Sequence, residues 1–204
     1  MKYKQLIIFS FLLMGLQGYS QNFEQDLNSF TKSINYEVNG EYTKAISSLK
    51  KTYKEESYEY NIRLGWLDYL AGQYTESASY YRKAISIMPM SLEARFGLIY
   101  PQLALGQSNQ VIDIYLDILS ISPTDTKANY RLALLYYQQA KYKEADAYLR
   151  KVINLYPFDY DTIILMAWNS LNMGKSNEAH ILFQKALLLN PTDESATEGL
   201  RLIN

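Results

Sequence analysis

The chain lacks cysteine altogether and has a single histidine, His180. Without thiols it forms no disulfide bonds, so its stability must come from packing alone. Catalytic and metal sites need several reactive groups brought together, and a lone histidine on a helix is more often solvated or packed than functional. We therefore predict a protein that is not an enzyme, with no catalytic residue, no metal site and no cofactor.

A strong excess of either charge is also missing, since 20 basic residues stand against 21 acidic ones. Nucleic-acid binding depends on clustered positive charge, so we expect no nucleic-acid partner. Five prolines and 48% hydrophobic residues are ordinary values for a folded domain.

The N-terminal apolar run, Leu6 to Leu16, is too short to span a bilayer as a helix, which takes roughly 20 residues. It follows Lys2 and Lys4 and precedes small residues, an order typical of a secretory signal peptide. We predict a signal peptide at 1–20 cleaved after Ser20, a short lead at 21–25, and a periplasmic or secreted protein. The alternative is an uncleaved N-terminal anchor.

A fixed period organises the rest of the chain. Four of its five prolines are spaced by 34 residues, at Pro89, Pro123, Pro157 and Pro191. Such a period is the signature of a repeat architecture. Dividing the chain accordingly gives five units and a C-terminal capping helix, at 26–57, 58–91, 92–125, 126–159, 160–193 and 194–204.

Each unit carries the signals of a helical hairpin. A small residue that suits the left-handed backbone at the end of a helix stands mid-unit, at Gly40, Gly72, Gly106, Ala140 and Gly174. A short oxygen side chain that can cap the next first helix stands at Ser57, Ser91, Asp125, Asp159 and Asp193. We therefore predict two helices per unit, joined by a tight turn.

The packing positions recur with the same period. Large apolar residues mark the first helices at Leu64, Leu98, Leu132 and Met166, and small ones mark the second helices at Ala45, Ala145 and Ala179. With Gly65 or Ala133 beside them, this pattern resembles the tetratricopeptide repeat over 26–193. The resemblance implies an all-α, right-handed superhelical solenoid of five hairpins plus the capping helix, which binds other proteins.

Two departures from the family pattern bear on function. The usual tryptophan near the start of the first helix is replaced, by Ser29, Asn61, Arg95, Asn129 and Ile163. Some members of the family grip a chaperone's C-terminal carboxylate with a clamp of Lys, Asn and Arg. Lys127 and Arg131 match its basic pair, but the other positions hold Ile62, Trp66 and Gly97. We therefore expect no clamp, and a solvated basic stripe instead.

The family resemblance implies that the first helices line the concave side of the solenoid. The residues that face this side are those at the fifth, ninth and twelfth places of each unit. Fourteen of these fifteen places are apolar or aromatic here, the exception being Glu37. Large exposed apolar patches usually mark interaction sites, and Tyr and Trp are frequent anchors. We predict a partner-binding groove of Phe30, Ile34, Ile62, Trp66, Tyr69, Phe96, Tyr100, Tyr130, Leu134, Tyr137, Ile164 and Trp168. The alternative is that these apolar and aromatic residues, which we call the aromatic stripe, are buried between repeats.

Two functions fit this groove. The first is a scaffold or adaptor of the cell envelope that holds a segment of a partner protein. The second is an accessory role in exopolysaccharide or envelope assembly, because aromatic faces stack on sugar rings. Sugar sites normally combine rings with many polar groups, and these places offer few, so the protein partner is favoured.

The cleavage site is directly testable. Mass spectrometry of the mature N-terminus is expected to find Gln21 as the first residue. A mature protein that still begins at Met1 would instead establish the N-terminal anchor.

Overall fold

The computed structural model describes residues 22–203, which the predicted signal peptide precedes. Within that range the regular structure is helical and no strand occurs, as expected for an all-α fold. The first helix, α1, covers 22–38 and so includes residues 22–25 of the predicted lead. The others are α2 (Tyr42–Lys50), α3 (Tyr58–Leu70), α4 (Tyr74–Ile87), α5 (Leu92–Ala104), α6 (Ser108–Ile121), α7 (Thr126–Gln138), α8 (Tyr142–Leu155), α9 (Tyr160–Asn172), α10 (Ser176–Leu189) and α11 (Glu194–Ile203).

The helices form two compact units. Unit 1 ends at Gln107 and contains α1 to α5, and unit 2 begins at Ser108 and contains α6 to α11. In unit 1, α3 packs against α2, α4 and α5, and α4 packs against α5. In unit 2, each helix from α6 to α10 packs against the next one. This packing of consecutive helices confirms the predicted fold class.

The predicted turns have left-handed backbone. Gly72 adopts a φ of 77°, and the next amide, of Gln73, donates to the Asp68 carbonyl at 2.8 Å to close the turn. Ala140 has a φ of 56° at the equivalent place, where a side chain is tolerated at some cost in strain. The sequence signal at these positions is therefore confirmed.

All five predicted N-caps are made. Ser57 and Ser91 each accept a hydrogen bond from the amide three residues later, at 3.4 and 3.1 Å. Asp125, Asp159 and Asp193 do the same at 2.7, 2.9 and 2.8 Å. Each bond satisfies an amide of the first helical turn that would otherwise have no partner.

Two of the residues that replace the family's tryptophan bind the loop before their helix. The Asn61 amide donates to the Glu55 and Ser57 carbonyls at 2.8 and 2.7 Å. Asn129 donates in the same way to the Pro123 and Asp125 carbonyls, at 3.0 and 2.8 Å. Both asparagines are buried, so these bonds fix the connection between hairpins with hydrogen bonds in place of ring packing.

Small residues let the helices approach closely in both cores. In unit 1, Ala45 and Leu49 of α2 pack with Leu64 and Leu67 of α3. Unit 2 has two clusters, made by Ala133, Leu149, Leu165 and Met166, and by Ile163, Ala167, Ala179, Phe183, Ala186 and Ala196. Of the residues that recur with the period of the sequence, these sets include Ala45, Leu64, Met166 and Ala179. The remaining ones, Leu98, Leu132 and Ala145, are also buried.

The Tyr81 ring of α4 occupies space that two glycines leave open. A Cβ atom on Gly65 of α3 would lie 3.0 Å from the ring, and one on Gly97 of α5 only 2.2 Å from it. Since Tyr81 is 4% exposed, the ring has little room to move away. Phe183 makes the same close approach to Gly199 of α11, where a Cβ would lie 2.2 Å from the ring.

We expect Gly97→Ala to destabilise unit 1. In a helix interior this change normally adds roughly 0.5–1 kcal/mol of stability, because alanine is the better helix former. Here the new methyl group overlaps Tyr81, and overpacking of a core typically costs about 1–3 kcal/mol. Urea unfolding measures the difference.

The matched control is Gly97→Ala in a Tyr81→Leu background, where the smaller side chain leaves room and the loss should shrink. An increase in the stability of Gly97→Ala alone would contradict the steric account.

Candidate functional site

The twelve predicted groove residues lie on first helices in both units, and they differ in exposure. Tyr100 and Ile34 are 43% and 48% exposed, whereas the other ten are half-buried. Unit 1 contains Phe30, Ile34, Ile62, Trp66, Tyr69, Phe96 and Tyr100. Unit 2 contains Tyr130, Leu134, Tyr137, Ile164 and Trp168.

Four aromatic side chains of unit 1 come together in a group that we call the ring cluster: Trp66, Tyr69, Tyr74 and Tyr100. The Trp66 centroid lies 5.8 Å from that of Tyr69 and 6.3 Å from that of Tyr100. Tyr69 lies 5.5 Å from Tyr100 and 5.9 Å from Tyr74, the first residue of α4. Such tilted and edge-on pairs at 4.5–7 Å are favourable aromatic contacts. Tyr74 was not among the predicted groove residues.

The one acidic residue of the predicted stripe orients the cluster's indole. Trp66 donates from Nε1 to Glu37 Oε1 at 2.7 Å, and Arg63 binds the other carboxyl oxygen through its guanidinium. Both Glu37 and Arg63 are half-buried. The sequence did not reveal this arrangement, although Glu37 was the single polar exception among fifteen places.

The spacing of α3 and α5 explains why the rings meet. Gly65 immediately precedes Trp66, and Gly97 lies about one helical turn before Tyr100. Because Tyr81 contacts both glycines, it fixes the approach of the two helices next to these rings. The ring cluster therefore depends on a core contact made by neighbouring residues.

The predicted residues of unit 2 pack onto the core, as Phe30 of unit 1 also does. Trp168 lies edge-on to Phe183 at 5.0 Å and donates from Nε1 to Ser195 Oγ at 2.9 Å. Tyr130, Leu134 and Tyr137 pack against the Ala133–Leu149 cluster. These contacts give the residues a structural role within their own unit.

Tyr130 and Tyr137, the two phenols among the predicted residues of unit 2, remain neutral donors and acceptors. Burial raises the pKa of Tyr137, whose hydroxyl accepts a hydrogen bond from Asn172 Nδ2 at 3.2 Å. Burial, and then the Asp161 carboxylate, raise the pKa of Tyr130. The Arg131 guanidinium lies 5.9 Å from the Tyr130 ring centroid. The side chains can therefore offer stacking and hydrogen bonds to a partner.

Between residues 22 and 203, no three His, Cys, Asp or Glu side chains are grouped so that they could hold a metal ion. None of the helices in the same range combines the length and the hydrophobicity needed to cross a membrane.

The paired helices define a helical-repeat protein, and comparison with known proteins identifies the type of repeat. The tetratricopeptide repeat model matches residues 58–89 and 126–159. The TPR repeat-containing protein YpiA of Bacillus subtilis (strain 168) is 26% identical over 160 residues, which are 76% of this chain and 38% of YpiA. These matches identify tetratricopeptide repeats in the chain, as the sequence pattern predicted, and the aligned part spans well under half of YpiA.

Solved structures share the fold. A tetratricopeptide repeat protein from Parabacteroides merdae ATCC 43184 superimposes with a TM-score of 0.75 at 20% identity, over 88% of this chain and 72% of that one. YrrB, described as a TPR protein with an unusual peptide-binding site, gives a TM-score of 0.71 at 14% identity, over 91% of this chain and 97% of that one.

We expect the two tryptophans to differ in their contribution to stability. Trp168→Ala should lower the free energy of unfolding more than Trp66→Ala, because Trp168 packs against the core around Phe183. Removing a buried aromatic side chain costs about 3–5 kcal/mol, which is an upper limit for these half-buried rings. Urea unfolding monitored by circular dichroism compares the variants, because this signal depends on neither indole. Equal losses would contradict the distinction.

Proposed function

We propose that the protein is a non-catalytic scaffold of the cell envelope, and that the ring cluster of unit 1 binds a segment of a partner protein. The observation that carries this proposal is the set of four adjoining rings, one of them a tryptophan held by Glu37. The tetratricopeptide repeats support this proposal, because the general function of such repeats is to bind proteins or peptides.

The Trp66 indole is already ordered in the free protein. Its hydrogen bond to Glu37 and its contacts with two tyrosines restrict its rotation. A side chain that is already ordered loses less conformational entropy in a complex. Tryptophan and tyrosine are also the residues that most often dominate binding energy.

Apolar side chains on two first helices of unit 1, α1 and α5, add to the exposed surface. Ile34 of α1 is 48% exposed and Leu103 of α5 is 50% exposed. An exposed apolar surface beside the ring cluster suits the apolar side chains of a peptide in extended or helical form. The predicted signal peptide is the basis for seeking this partner in the cell envelope.

Carbohydrate remains the second candidate, because four adjoining rings also provide stacking surfaces. A sugar needs hydrogen-bonding groups around those rings. The one carboxylate beside Trp66 already accepts bonds at both oxygens, from Trp66 and from Arg63. The ring cluster then offers a sugar its three tyrosine hydroxyls, whereas exposed Ile34 and Leu103 suit the apolar side chains of a peptide, so a protein segment is the favoured partner.

The test begins with capture from a cell-envelope extract by the immobilised full chain, and identifies the bound segment by mass spectrometry. A synthetic peptide of that segment is then titrated against the free protein. We expect Trp66→Ala and Tyr100→Ala each to weaken its binding by at least tenfold, since hot-spot side chains contribute about 2 kcal/mol or more.

Phe158→Ala is the matched control, because Phe158 is an exposed ring of unit 2, 55% accessible, outside the ring cluster. It should bind like the parent chain. Unchanged affinity in both cluster variants would contradict the proposed site. Binding on a glycan array, abolished by the same variants and without any bound peptide, would favour carbohydrate.

A further inference from the structure

One carboxyl group of unit 1 is buried without a hydrogen-bonding partner. Asp68 of α3 has no exposed surface, and neither of its carboxyl oxygens accepts or donates a bond. Buried polar groups are normally paired, and an isolated buried charge is costly. The charged form of Asp68 therefore lowers the stability of the fold, at a place where packing favours an uncharged residue.

The equivalent places of other hairpins show that the fold does not need a carboxylate there. Asp68 is the eleventh residue of its unit, and Gln102 and Ser170 occupy the same place in two others. Both are buried, with a side-chain oxygen that has no partner, yet both are neutral. The charge at Asp68 is thus a property of this hairpin rather than of the architecture.

The helices packed against α3 compensate the charge poorly. Lys50 of α2 is the cation that acts on Asp68, but its side chain is exposed and lies 6.0 Å from the Tyr80 ring centroid of α4. Glu76 of α4 adds a second negative charge, Tyr80 is neutral, and α5 contributes no charge that acts on the carboxyl. Burial raises the pKa of Asp68 to about 6, an effect that Glu76 reinforces and Lys50 opposes.

We propose that Asp68 is a proton-operated switch of unit 1, whose protonation removes an uncompensated charge from the junction of α2, α3 and α4. The folded carboxyl then holds its proton more tightly than the unfolded chain does. The resulting stabilisation is complete below the ordinary pKa of aspartic acid and is lost as the pH rises through about 6. Unit 1 becomes more stable on mild acidification, and α3, which carries Trp66 and Tyr69, is the helix affected.

Glu55 and Glu59, two exposed acids of unit 1, lose their charge only below the window between pH 7 and pH 5. Hydrogen bonds from Lys83 and from Ser57 hold the pKa values of Glu55 and Glu59 below their ordinary value. Their contribution to stability is therefore lost only at lower pH. The single histidine, His180, belongs to unit 2.

The test uses the two tryptophans, one in each unit. In a Trp168→Phe background, Trp66 fluorescence reports urea unfolding of unit 1. We expect the unfolding constant to fall about tenfold from pH 7 to pH 5, and to change less than twofold when Asp68→Asn is added. Glu56→Gln, which neutralises an exposed acid of the same unit, should retain the tenfold change.

An undiminished pH dependence in Asp68→Asn would overturn the proposal. If that variant leaves unit 1 unfolded, the carboxyl ¹³C shift of Asp68 in the folded parent chain decides. A titration midpoint near 6 supports the switch. A midpoint near 4, the ordinary value for aspartic acid, overturns it.

Discussion

The contact of one tyrosine ring with two glycines determines the geometry of unit 1. Tyr81 projects from α4 against Gly65 of α3 and Gly97 of α5, where no methyl group could fit beside it without displacement. The contact brings two first helices together over a buried ring. Trp66 and Tyr100 lie on those helices next to the glycines, so the surface that we propose for binding follows from the core beneath it.

In unit 2, a ring packs against a glycine of the next helix at one place, and a pair of leucines takes their positions at another. Phe183 approaches Gly199 as closely as Tyr81 approaches Gly97, and this docks α11 onto α10 as if it were another first helix. At the 126–159 hairpin the place of the ring holds Leu149, and the place of the glycine at the start of the next hairpin holds Leu165. These two leucines share a core cluster. A ring over glycine and a pair of leucines are thus alternative ways to fill equivalent space.

The features that were predictable from sequence are those set by local backbone rules. Proline spacing, small turn residues and short oxygen side chains before each helix indicated the hairpins, and the turns and caps are formed as expected. Contacts between hairpins were not predictable in this way. The bond from Trp66 to Glu37 joins residues 29 apart, and the burial of Asp68 depends on three helices at once. The division of the aromatic stripe into a ring cluster in unit 1 and core-packed rings in unit 2 likewise depends on tertiary packing.

Binding at the ring cluster is the central functional claim, and site-specific cross-linking tests it most directly. Tyr100→p-benzoyl-phenylalanine places a photoreactive group in the cluster, and Phe158→p-benzoyl-phenylalanine places one on an exposed ring elsewhere. We expect irradiation in a cell-envelope extract to link one partner protein to position 100 and to leave position 158 unlinked. A partner that cross-links at position 158 and not at position 100 would contradict the claim.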